Sequence, residues 1–172
     1  MKNKVIVLFC LLALFSSGRD ATAAEGRATA TIMSAISASK NINTDTNGDL
    51  AFGVIVPGES SGTVTISPST SNRTYQGGVA LVASTSGAAS FNISGAANAV
   101  YTVALPDTDT INISSGSNIM KVLSFTVYPP SGSAKLGADG LAIFTVGGTL
   151  QVEPNQAAGS YTGTFIVTVA YQ

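Results

Sequence analysis

Apolar and polar residues alternate through most of this chain. Near its end Phe165, Val167, Val169 and Tyr171 are interleaved with Ile166, Thr168 and Ala170. A two-residue period rich in β-branched and aromatic side chains predicts a strand there. The same alternation recurs in RATATIMSAI, LAFGVIV, GTVTIS, GVALVAS, ASFNIS, AVYTVAL, IMKVLSFTVY and LAIFTVGGTLQV. Between these runs lie PGESSG, SPSTSNRTYQGG, YPPSGSAKLGADG and EPNQAAGS, dense in residues that redirect the backbone. No helical period accompanies them. Roughly eight to ten strands without intervening helices predict an all-β, immunoglobulin-like antiparallel β-sandwich.

The first residues follow another pattern. Lys2 and Lys4 precede the apolar run VIVLFCLLALF, and Ala21-Thr22-Ala23 offers small residues for cleavage. Residues 1–23 are expected to be a secretory signal peptide removed after Ala23. A spanning helix needs roughly 20 apolar residues, so no transmembrane segment is expected after cleavage. The remainder divides into an extended segment, 24–37, and a sandwich domain, 38–172. Cys10, the single cysteine, lies inside the apolar run. It leaves with the leader, so neither a lipid anchor nor a disulfide is expected and stability must come from packing.

Charge and side-chain chemistry narrow the function. From Ala24 onward eight acidic residues face five basic ones, a difference of −3. Such a sparse set offers no basic patch for a phosphate backbone, and nucleic acid is not an expected partner. The chain has no histidine, which removes the commonest general base and a common metal ligand. Asp107 and Asp109, in LPDTDTI, could form an acid/base pair, but Pro106 favours a solvated loop. DTNGDL places Asp45, Asn47 and Asp49 at the spacing that opens a calcium loop. Leu50 then replaces the required glycine and Val56 the closing glutamate, so a turn through Asn47-Gly48 accounts for the same letters. Gly77-Gly78 and Gly147-Gly148 lack the helix of a phosphate loop and read as turns or bulges. Tyr75, Tyr101, Tyr128, Tyr161 and Tyr171 could form a sugar-stacking face or sit at the core's margin. No enzyme activity, cofactor or metal is expected.

The most informative constellation is positional. Counting back from Gln172 as first, Tyr171 is second and Gly159 fourteenth, with clean alternation between them. This resembles the C-terminal signature of chaperone–usher pilin subunits. LAFGVIVPG is similar to the early strand of spore-coat-U-type pilin domains. RATATIMSAI, SGTVTISP, FTVGGTLQV and NQAAGSYTGTFIVTVAY together resemble the bacterial secreted family known as domain of unknown function 4402. The best-known pilin branch carries a disulfide that this chain cannot form.

The pilin resemblance implies a sandwich lacking one strand, with an apolar groove filled by an extended segment of a neighbour. Its acceptor groove would be lined by Gly159, Phe165, Val167, Val169 and Tyr171. The donor would be the N-terminal run, with Ala28, Ala30, Ile32 and Ile36 on one face. Partners would be further copies or related subunits, a periplasmic chaperone and an outer-membrane usher, and the destination the cell surface as an adhesive fimbria-like fibre. The alternative is a non-polymerising secreted or cell-surface sandwich, a matrix or carbohydrate-binding module whose first run folds back onto its own sheet.

Overall fold

The structure is a computed structural model that describes residues 29–172. The expected signal peptide and Ala28 lie outside the described residues. Ile32–Gln172 forms one compact unit, and the expected boundary at 37/38 falls inside its first strand. The strands are β1 (Ser37–Lys40), β2 (Ile55–Ile66), β3 (Arg73–Leu81), β4 (Ala89–Ser94), β5 (Val100–Ala104), β6 (Ile111–Ser115), β7 (Asn118–Tyr128), β8 (Ala134–Lys135), β9 (Leu141–Val152) and β10 (Thr168–Tyr171). Every pairing is antiparallel. The expected all-β antiparallel sandwich is what forms.

β9 is the spine of a seven-stranded sheet. One flank pairs with β4 along Leu141–Val146 and then with β2 along Gly148–Val152. β7 takes the other flank, and β6 extends the sheet beyond β7. The change of partner falls at Gly147-Gly148. A Cβ on Gly147 would meet the Ile66 carbonyl and Pro68, so only glycine lets the three backbones converge. Gly77-Gly78 lies where the β2–β3 register shifts between Pro57 and Gly62, and Gly77 has φ +76. PGESSG therefore bends a continuous strand and does not interrupt it. The second sheet has three strands in the order β10-β5-β8.

Alternation becomes two apolar clusters. The first gathers Val64, Ile66, Met120, Val122, Leu150 and Val152, with Phe52 and Val79. The second gathers Ile93, Tyr101, Val103, Leu136, Phe144 and Val146, with Phe91 stacked on Phe144 at 4.9 Å. Full burial of each large aliphatic or aromatic side chain contributes about 1.5–3 kcal/mol.

Several local expectations change. RATATIMSAI is not a strand over its described part; pairing starts at Ser37, where SASK lies along β4. INISS, whose alternating Ile111 and Ile113 pack against the first cluster, is β6, completed by a hairpin through Gly116 at φ +59. The Asn47-Gly48 turn forms as read, both residues having positive φ and the Asp49 N–H donating to the Thr46 carbonyl at 3.0 Å.

Candidate strand-acceptor cleft

The first cluster is incompletely roofed. A cleft of about 940 Å³ opens above Met120, Val122, Leu150 and Val152. One wall is the stretch Asp49–Ile55 with Pro57; the other is Gln156–Phe165. Asp49 is the one charged residue of the lining, and its carboxylate pairs with Lys40 Nζ at 2.9 Å. The cleft can therefore take an apolar face but has little to hold a charged ligand.

Each wall is paired along one side only. On the first, the Val82 N–H donates to the Val54 carbonyl at 3.1 Å, and Val56 stands opposite Ala80. Antiparallel alternation then turns the N–H and C=O of Ile55 away from β3, on the side where β9 pairs only with Gly62–Ile66. On the second wall Thr162 and Ser114 exchange two hydrogen bonds, 2.8 and 3.0 Å. Further along, the Gln172 N–H donates to the Val100 carbonyl, in register with Thr168 opposite Ala104. Thr162, Thr168, Ala170 and Gln172 thus address β6 and β5, and Gly163 and Val169 address the opposite side. Among the described residues no strand pairs with that side.

The side chains of this segment divide as the alternation required. Phe165, Val167, Val169 and Tyr171 are half-buried and pack against the second cluster. Thr164, Thr168 and Ala170 are exposed, and so is Ile166, at 80%. Of the five expected groove residues, Gly159 and Phe165 line the cleft. Phe165 stands 5.0 Å from Phe125 between ring centroids. A Cβ on Gly159 would meet Ser115 Oγ. Val167, Val169 and Tyr171 lie beyond the lining. Of the expected donor residues, Ala30 and Ile32 are exposed, Ile32 at 95%, whereas Ile36 is half-buried against its own second cluster.

Three further residues shape the walls. Arg73 Nη1 donates to the Phe52 carbonyl and Nη2 to the Val82 carbonyl, both at 2.7 Å. The guanidinium occupies the space a Cβ on Gly53 would need, and Gly53 has φ +71, so LAFG requires its glycine twice over. Tyr161 donates to the Ala157 carbonyl at 2.7 Å and accepts from Gln156 Nε2 at 2.9 Å, tying the turn that carries Gly159. Arg73, Gln156 and Tyr161 act through contacts distant in sequence or inside a turn, and no motif in the sequence pointed to them as wall residues.

The remaining candidates stay apart. Asp107 and Asp109 sit in the 105–110 loop, where Thr110 Oγ1 donates to the Asp107 carbonyl at 2.7 Å. Tyr101 is buried, Tyr161 and Tyr171 have hydroxyls engaged internally, and Tyr75 and Tyr128 are exposed on β3 and β7. They form no common stacking face. Among the described residues no three acidic or sulfur side chains group as metal ligands.

A family model described as "Domain of unknown function (DUF4402)" matches residues 42–171. The chain belongs to this family. The DUF4402 match begins just after β1 and includes both walls of the cleft. Comparison with curated proteins and with solved structures gave no match.

Proposed function

We propose that this DUF4402 protein is a structural subunit of a fimbria-like surface fibre, joined by insertion of one copy's N-terminal segment into the cleft of another. The observation that carries this reading is an apolar cleft bordered by the start of β2, Ile55–Pro57, and by the segment Tyr161–Phe165, each paired on one side and facing the cleft with backbone that no described strand pairs. An extended peptide laid there can pair with backbone on both sides while its inward residues meet the first cluster. The donor face is Ala28, Ala30 and Ile32, because Ile36 is already engaged in its own domain. Burying Ile32 contributes about 1.5–3 kcal/mol, and each new ladder bond about 0.5–1.5 kcal/mol. Export and display at the cell surface complete the reading, with a periplasmic chaperone covering the cleft before assembly.

The test uses the exported form beginning at Ala24. Wild-type protein should give detergent-resistant oligomers on gels and in light scattering. Ile32→Asp, at an exposed position that leaves the fold alone, should weaken self-association by at least about tenfold, the equivalent of some 1.4 kcal/mol. A labelled peptide of residues 24–36 should bind the Ile32→Asp protein, whose cleft is empty. A monomeric wild type that ignores the peptide rejects the proposal.

A further inference from the structure

Tyr171 does something that a groove residue does not require. Its hydroxyl accepts from the Ala96 N–H at 2.6 Å and donates to the Ser34 carbonyl at 2.7 Å. Gly95 leaves room for it: a Cβ there would meet the hydroxyl oxygen. Ser34 lies between the exposed Ile32 and the half-buried Ile36, at the root of the donor segment. The hydroxyl thus pins the place where the chain enters the sandwich.

That place is remote from the cleft. Tyr171 pairs with Tyr101 near the start of β5, and the cleft is lined by the same segment no further along than Phe165. Six residues of extended chain separate them, about 20 Å at roughly 3.3 Å per residue. From Ser34, residues 24–33 could span about 33 Å, so length alone does not stop the segment from turning back into its own cleft. Direction does. β1 runs antiparallel to β4 with Ser37 opposite Ser94, so the chain preceding it passes beside Gly95 and Ala96 at the end of the sandwich remote from the cleft.

We infer that the Tyr171 hydroxyl is a positioning latch: it holds the donor's root at the end opposite the cleft, so that a subunit is filled by a second copy and not by itself. The inference rests on the strand-exchange reading above. A contact between one copy's root end and another's cleft end is heterologous, and it grows as an open filament wherever its rotation does not close a ring. A released root permits closure within one chain, which ends growth. Tyr171 then acts on assembly through Ser34 and touches no part of the cleft.

Two variants remove the latch by different routes. Tyr171→Phe deletes the hydroxyl, and Gly95→Ala places a methyl where the hydroxyl sits. Both should lower the oligomer fraction of the exported form at least about tenfold in light scattering, leaving compact monomers that no longer take up labelled peptide 24–36. Adding Ile32→Asp to Tyr171→Phe should restore peptide uptake, which simple loss of folding could not do. Variants that assemble like wild type overturn the latch and leave strand exchange standing. Monomers whose clefts still bind peptide without Ile32→Asp also overturn it. A wild type that neither assembles nor binds peptide overturns both readings.

Discussion

The two halves of the sandwich are built from the same alternation and end differently. In the half around Phe144, the β10-β5-β8 sheet covers the core: Tyr101 and Val103 of β5 close over Ile93 and Val146, and Ile36 helps seal the edge. In the half around Leu150, the 156–165 segment touches β6 at Thr162 and then runs without a second neighbour. Among the described residues one core is covered by a second sheet and the other lies open along the cleft. An apolar floor does not guarantee a roof; the roof depends on where strand partners run out, and this chain leaves two edges facing across one gap.

The largest test of that contrast is a matched pair of truncations. Phe144→Ala, in the closed half, should cost about 3–5 kcal/mol, because neighbours on all sides prevent collapse into the vacated space. Met120→Ala, on the cleft floor, should cost only about 2 kcal/mol, since its side chain already borders open volume. Urea unfolding midpoints measure both. Equal costs would mean that the cleft is filled in solution and that the halves do not differ.

A smaller effect sharpens the description of the wall. Arg73→Ala removes the two short charge-assisted hydrogen bonds to the Phe52 and Val82 carbonyls and a longer one, 3.3 Å, to the Val54 carbonyl. The expected loss is about 1.5 kcal/mol, the low end of the range because the guanidinium is partly exposed. Amide exchange should quicken at Phe52–Ile55 and stay unchanged at Phe144–Val146. A uniform rise across the chain would show that the wall and the closed core unfold as one unit.

Much of the closed half was legible in advance, since ASFNIS, AVYTVAL and LAIFTVGGTLQV carry inward residues at every second position and each is a strand. The inward face of 165–171 was legible for the same reason. The edges were not. SASK and INISS are strands because an already formed neighbour offers a hydrogen-bonding edge, which composition does not record. RATATIMSAI has strand-like alternation and no partner within its own unit over its described residues, so it pairs with nothing there. The LAFG wall could be read as far as its glycine, but Arg73, which fixes it, stands 21 residues from Phe52.

The finest test uses an ionisable group inside the closed half. Burial raises the Tyr101 phenol above its ordinary pKa of 10.0, because the phenolate loses solvation among Leu136, Phe144 and their neighbours. The folded state then keeps a proton that the unfolded chain releases. The associated stability is fully present below about pH 10 and is lost as pH rises through the raised value. Tyr101→Phe should flatten that alkaline decline while leaving the neutral-pH midpoint nearly unchanged, as read from urea midpoints between pH 8 and about 11. If the decline persists unaltered in Tyr101→Phe, solvent reaches this ring, and the closed half is looser than the contrast with the cleft requires.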